Sequence, residues 1–258
     1  MGFLTDLTAD VRRRLERAPL DDGRLMARAL AMPPTRPFAR RLLDADDTSV
    51  IAEVKRASPS AGDIAPDVDP GDRARAYERG GAAAISVLTE PTRFGGALAD
   101  LQTVHQAVRL PVLRKDFVVH PSQVIEARAS GADAVLLITA ALDPTELKAL
   151  LVAASDLGLG ALVETHSAAD LDVALATEAQ VIGVNARDLE TLEVDAARAL
   201  ALLERVPDDR VAVFESGVRD RADVERAVAA GARAVLVGES LMRAPDPEGA
   251  VRSLRGAA

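Results

Sequence analysis

Cysteine is absent from the 258 residues. That absence removes disulfides, thiolate zinc sites, iron–sulfur ligation and a cysteine nucleophile from consideration, and it fits a reducing compartment without requiring one. Aromatic residues are scarce, with five Phe, one Tyr and no Trp, too few for the stacking platforms that hold single-stranded nucleic acid. Positive charge is in the minority: 31 Lys and Arg stand against 40 Asp and Glu, for a formal net charge of −9. This is the wrong sign for a surface that grips a phosphate backbone. Long apolar runs are missing too. The uncharged stretch 134–142 is about half the length of a membrane span, and the start MGFLTD reaches an acid before any basic, apolar or cleavable pattern develops. Asp6 stands where a myristoylation signal needs Ser or Thr. Histidine occurs at positions 105, 120 and 166, with no facial triad at ligand spacing. The expectation is a soluble, untargeted, cytoplasmic protein with no nucleic-acid partner, no membrane and no metal.

What the sequence does contain is a repeat. Short Val/Ile/Leu-rich runs recur at 49–55, 83–90, 111–117, 134–140, 160–166, 180–186, 210–217 and 234–240. Their starts are about 20 to 35 residues apart, room for a strand and a returning helix, and continuous apolar runs of this kind are what parallel strands covered on both faces look like. Three junctions are nearly the same sentence, RARAYERGGAAAISVL at 73–88, IEARASGADAVLLI at 125–138 and ERAVAAGARAVLVG at 225–238. Each reads as helix, glycine cap, strand. Eight such units in a chain of this length fit an α/β (β/α)8 TIM barrel better than an open doubly wound sheet, and no Gly-x-Gly-x-x-Gly follows the first strand. Residues 1–47 do not repeat. They read as an N-terminal helical extension, with helices at 8–17, 19–30 and 33–43, packed on a barrel of eight βα units at 48–258, the whole forming one domain over 1–258.

In a barrel, side chains alternate between the interior and the helix layer, and chemistry gathers at the C-terminal strand ends. Alternation puts Glu53 and Lys55 on one face with Ile51, Lys115 with Leu113 and Phe117, and Glu164 with Leu162 and His166. Asn185 ends the sixth run, Glu215, Ser216 and Gly217 the seventh, and Gly238, Glu239 and Ser240 the eighth. Each has an ordinary explanation. Glu53 and Lys55 would serve as a buried ion pair, Lys115 and Asp116 as a surface pair, Glu164 as a helix cap and His166 as a loop histidine. Their joint placement at strand ends favours function. The small residues around 216–218 and 238–240 are suited to a phosphate held by backbone N–H groups, and the segments 58–62 and 94–96 read as mobile loops. Two lysines in one partly dry pocket are expected to lower each other's pKa.

At this point the residues resemble a known family, the indole-3-glycerol phosphate synthases, over nearly the whole chain. The carrying segments are IAEVKRASPSAG at 51–62, ISVLTEPTRFGG at 85–96, PVLRKDF at 111–117, ALVETH at 161–166, IGVNARDL at 182–189, ESGV at 215–218 and VLVGESLMR at 235–243, with PFARRL at 37–42 resembling the family's extension. The resemblance implies a cofactor-free lyase acting on a small phosphorylated substrate as a monomer or weak homodimer. It implies a catalytic set of Glu53, Lys55, Lys115, Glu164, Asn185 and Ser216, and binding positions at Ser58, Phe94, Phe117, Arg187, Glu215, Gly217, Gly238 and Glu239. Lys115 matches the general acid of ring closure, Glu164 the carboxylate of later proton transfers, Lys55 a partner for the substrate carboxylate, and Phe94 and Phe117 the walls around the anthranilate ring. Ala61 stands where the family often has a basic residue, Phe214 where a small one is common, and the extension is poorer in Lys and Arg. Rival enzymes are another phosphate-binding barrel, such as phosphoribosylanthranilate isomerase, whose base is a cysteine this chain lacks, or a Schiff-base aldolase using Lys55 or Lys115. A catalytically idle homologue with a binding role is the alternative from another class.

Overall fold

The computed structural model describes residues 2–44 and 48–256. Eight parallel strands close into a barrel: β1 Ser49–Val54, β2 Ala84–Leu88, β3 Val112–Lys115, β4 Ala134–Ile138, β5 Gly160–Thr165, β6 Val181–Asn185, β7 Val211–Glu215 and β8 Ala234–Val237. Each strand pairs with its sequence neighbours, and β1 closes the ring against β8 through Ser49 opposite Ala234 and Ala52 opposite Val237. Their Val, Ile, Leu and Ala side chains, apart from the half-buried Ala161, are buried on both faces, so the runs carry no helix-like polar stripe.

Helices α4 Pro70–Arg79, α5 Leu98–Ala107, α6 Pro121–Ala129, α7 Pro144–Asp156, α8 Ala168–Leu175, α9 Ala196–Leu203 and α10 Arg221–Ala229 return the chain between strands, and α11 Glu239–Arg243 and α12 Pro247–Arg255 follow β8. Their starts are locally encoded. Asp69, Asp143, Ser167, Asp195, Asp220 and Asp246 each accept a backbone N–H of the first turn, and α4, α6, α7 and α12 carry Pro there.

The extension contributes α1 Phe3–Arg17, α2 Asp22–Ala31 and α3 Phe38–Leu43. Helix α1 begins five residues before the expected start at 8, because its cap is tertiary. Glu190, on the loop after β6, accepts from Thr5 N at 3.3 Å and from Thr5 Oγ1 at 2.7 Å. The expected helix over 33–43 shortens to α3, since Pro33, Pro34 and Pro37 hold 33–37 out of helical conformation. Arg36 in that segment donates to Leu110 O at 2.7 Å and His105 O at 3.0 Å, and its own N–H reaches Asp133 Oδ1 at 2.8 Å. Leu110 and Asp133 precede β3 and β4, so the extension runs from α1 near the C-terminal rim to a seal across the N-terminal end of the barrel. Leu4, Leu7, Val11, Phe38 and Leu42 join the barrel's apolar core. The expected boundary at residue 47 lies outside the described residues.

Two expectations about individual residues change. The strand expected over 111–117 ends at Lys115. Asp116, expected as a possible surface partner of Lys115, is buried under the helix layer instead: Arg114 Nη2 lies 2.9 Å from Asp116 Oδ2 and 3.0 Å from Glu126 Oε2. Thr89 Oγ1 donates to Asp116 Oδ2 at 2.6 Å, and Asp116 Oδ1 accepts from Phe117 N at 2.8 Å. Segment 58–62 keeps its loop, a turn at 59–61, between two short antiparallel stretches that pair Ala57 with Asp63 and Ser58 with Gly62, and Ala57 N donates to Phe94 O at 3.3 Å, tying this ribbon to the next loop.

Candidate active site

Strand register decides what meets at the C-terminal rim. Leu88 of β2 pairs with Lys115 of β3, Glu164 of β5 with Gly183 of β6, and Asn185 of β6 with Glu215 of β7. Two acidic side chains and a lysine therefore point into the same layer of the barrel. Lys115 Nζ lies 2.8 Å from Glu164 Oε2 and 3.2 Å from Glu215 Oε2. Across the ring Lys55 Nζ, just past the end of β1, lies 2.7 Å from Glu53 Oε1. All five side chains border a cavity of ≈ 460 Å³.

Two glycines make this packing possible. A Cβ on Gly183 would sit 2.1 Å from Glu215 Oε1, and one on Gly238 would sit 2.2 Å from Glu53 Oε1 and 2.9 Å from Lys55 Nζ. An inward side chain at either position would occupy the space of a site carboxylate.

Burial alone lowers a lysine's pKa, but at Lys115 the carboxylates of Glu164, Glu215 and Glu53 outweigh it and hold the ammonium above its ordinary value. The expectation that two lysines would depress each other is corrected here: the acids around Lys115 outnumber its cationic neighbours. Burial opposes ionisation of Glu164, yet Lys115 and His166 more than compensate and hold its carboxyl well below the usual range. Glu215 goes the other way, pushed well above that range by burial and by the charge of Glu164, against the pull of Lys115. The centre thus sets an ammonium between one carboxyl biased toward ionisation, Glu164, and one biased toward protonation, Glu215.

The rest of the wall follows from the loops. Phe94 and Phe117 face each other with ring centroids 6.2 Å apart and make the apolar side. Asn185 Oδ1 accepts from Arg187 N at 2.9 Å, and the Arg187 guanidinium donates to Leu192 O at 2.7 Å, which folds the loop after β6 over the cavity. Ser58 Oγ accepts from Ala61 N at 3.2 Å, inside the ribbon. Ser216 (φ 65) and Gly217 (φ 79) are consecutive left-handed residues, a conformation that turns neighbouring N–H groups toward one side. Gly238 caps the short helix α11, and Glu239 Oε1 accepts from Arg243 Nε at 3.1 Å on the same helix.

Every catalytic or binding position expected from the sequence lines this one cavity. Sequence reasoning missed Phe3, Leu189 and Leu192, which also line it. They come from the extension and a loop, where strand alternation carries no signal. His166 lies in the loop after β5, as expected, and its side chain is nine-tenths buried there, with Nε2 3.2 Å from Glu164 Oε1. Among the described residues no group of three or more His, Cys, Asp or Glu side chains is arranged to hold a metal ion, and no helix is long and apolar enough to cross a membrane.

Comparison with known proteins sets this geometry in context. Residues 3–254 match the family model described as indole-3-glycerol phosphate synthase. A protein of that name from a Nocardioides species is 52% identical over 259 residues, covering 99% of both chains. Another from Micrococcus luteus is 49% identical over 263 residues, covering 100% of this chain and 98% of that one. Among solved structures, a 3-hexulose-6-phosphate synthase superposes with a TM-score of 0.64 at 18% identity, over 81% of this chain and 100% of its own, a likeness of fold alone.

Proposed function

The chain belongs to the indole-3-glycerol phosphate synthase family, and from that premise we propose that it closes the indole ring at the rim just described. The substrate is 1-(2-carboxyphenylamino)-1-deoxy-D-ribulose 5-phosphate, and the products are indole-3-glycerol phosphate, carbon dioxide and water. The observation that carries the assignment of roles is the convergence of Lys55, Lys115, Glu53 and Glu164, from three strands, on a cavity that Ser216, Gly217 and Gly238 also line.

The ring carbon bearing the carboxylate attacks the ketone carbon, so the carbonyl oxygen becomes an alkoxide. Lys115 donates a proton to it. A raised lysine pKa does not weaken this step, because an alkoxide is the conjugate base of an alcohol and remains the stronger base. Lys55 holds the substrate carboxylate beside the ring until its carbon–carbon bond breaks and carbon dioxide leaves, the electron pair restoring aromaticity. Glu164, ionised, then takes a proton from the carbon next to nitrogen, while an acid returns one to the departing hydroxyl and water is lost. Asn185 orients the substrate hydroxyls, Phe94 and Phe117 flank the anthranilate ring, and Ser58, Arg187, Glu215 and Ser216 border the chain of the sugar. The phosphate rests on the N–H groups of Gly217, Gly238 and Glu239. A Schiff base on Lys115 is disfavoured, because an ammonium held protonated by buried acids is a poor nucleophile.

These residues all come from one chain, which supports a working monomer or weak homodimer, and the soluble phosphorylated substrate supports a cytoplasmic setting. The gene is expected to restore growth without tryptophan to an auxotroph lacking this step, and failure by folded, expressed protein would count against the assignment. The Gly183→Ala protein is expected to fold, because the intruding Cβ meets the end of a side chain rather than backbone. Displacing Glu215 from beside Lys115 should lower kcat about 10²-fold, the scale set by an ångström of misplacement. Steady-state kinetics checks this, and wild-type kcat would contradict it.

A further inference from the structure

His166 has no part in the chemistry above, yet its position is too specific to be incidental. It follows β5 directly, its backbone N–H donates to Asp170 Oδ2 at 3.1 Å in the capping box of α8, and its ring is turned inward rather than to solvent. Nε2 comes within 3.2 Å of Glu164 Oε1 while Lys115 Nζ holds the other oxygen, Oε2, at 2.8 Å. Among the described residues, neither ring nitrogen makes a full hydrogen bond, and the approach of Nε2 to Glu164 Oε1 is a close polar contact. The ring is not part of the cavity lining, so it reaches the substrate only through Glu164.

We propose that His166 is a positioning residue: it braces Oε1 of Glu164 from behind, so that the carboxylate stays aligned between Lys115 and the substrate carbon it deprotonates. This rests on the role of Glu164 proposed above. A carboxylate held by Lys115 alone rotates about its last side-chain bond, and the proton transfer depends on where the free lone pair points. A second cationic or N–H contact on the opposite oxygen removes that freedom and favours the ionised form. The charged groups around the ring are few. Glu164 faces it from β5, with Lys115 of β3 behind that carboxylate. Asp188, on the loop after β6, lies within electrostatic reach of the ring, and Asp170 of α8 is engaged by the His166 backbone. Asp188 is itself fixed, accepting from Glu190 N at 2.7 Å and Thr191 N at 2.9 Å, and the same loop caps α1 through Glu190.

The test compares His166→Ala, His166→Gln and Glu164→Gln by kcat, KM and the pH dependence of kcat, with thermal unfolding as the control for folding. His166→Ala is expected to lose about 10-fold or more in kcat with KM within about twofold, a fraction of the cost of an ångström of misplacement. Because His166 is one of the groups that keep Glu164 ionised, its removal raises the Glu164 pKa, and the acid limb of the profile moves to higher pH. His166→Gln, which restores an N–H at similar reach, is expected to recover most of the rate and return the limb toward wild type. An Ala variant with wild-type kcat and profile overturns the proposal. So does one whose loss is matched by Gln without movement of the limb, which is what a packing role alone would give. A fully active Glu164→Gln enzyme would remove the assignment of Glu164 itself, and the brace with it.

Discussion

Replacing Lys115 by Ala is expected to lower kcat/KM about 10³-fold or more while leaving the barrel folded. Positioned acid–base groups contribute about 10²–10⁴-fold, and this side chain also places a positive charge where negative charge develops on the carbonyl oxygen. Among the described residues, no other cation lies as close to both Glu164 and Glu215. Lys55 is committed to Glu53 across the cavity, so it does not substitute. The fold should survive because the loss is self-limiting: with the ammonium gone, burial drives the Glu164 and Glu215 carboxyls toward their neutral forms, and no buried charge is stranded. Steady-state assay beside circular dichroism checks both halves. A Lys115→Ala protein with near-native turnover would reject the assignment of this residue.

Its sequence neighbour should behave in the opposite way. Arg114→Ala is expected to cost about 3–5 kcal/mol of stability, the scale for breaking a buried ion pair by removing one partner. Alternation along β3 sends Arg114 outward, under the helices, where it meets Asp116, Glu126 and the carbonyl of Gln123, the last at 2.9 Å. Asp116 would be left buried with only Thr89 and the Phe117 N–H. Urea unfolding reads the loss directly, and a change below about 1 kcal/mol would mean that the network relaxes at little cost. The contrast between the two variants tests the barrel geometry itself, since a one-residue shift of register exchanges their roles.

The barrel was legible because its signals are local and repeated: apolar runs, glycine-capped helices, and Asp or Ser at helix starts. The site was legible for the same reason. A Glu or Lys at the inward position of a buried strand breaks a pattern that is otherwise apolar, so Glu53, Lys115 and Glu164 stand out in the sequence itself. What was not legible depends on partners distant in sequence. The cap of α1 is Glu190, far along the chain. Phe3, from the extension, reaches the cavity because that cap fixes the helix end against the loop after β6. The protonation pattern was misjudged for a related reason. Counting lysines predicted mutual repulsion, whereas register brings Glu215 beside Lys115 through the gap left at Gly183. The outward Arg114–Asp116 network was hidden because a charged pair at a strand end looks the same in sequence whether it faces water or helices.

The most direct measurement is single-enzyme turnover: purified protein mixed with 1-(2-carboxyphenylamino)-1-deoxy-D-ribulose 5-phosphate in the presence of a chelator, followed by indole fluorescence and by release of carbon dioxide. The account predicts that both signals appear at the same rate and that borohydride traps no covalent adduct. Folded protein that yields neither signal, or one that borohydride inactivates only when substrate is present, would contradict it.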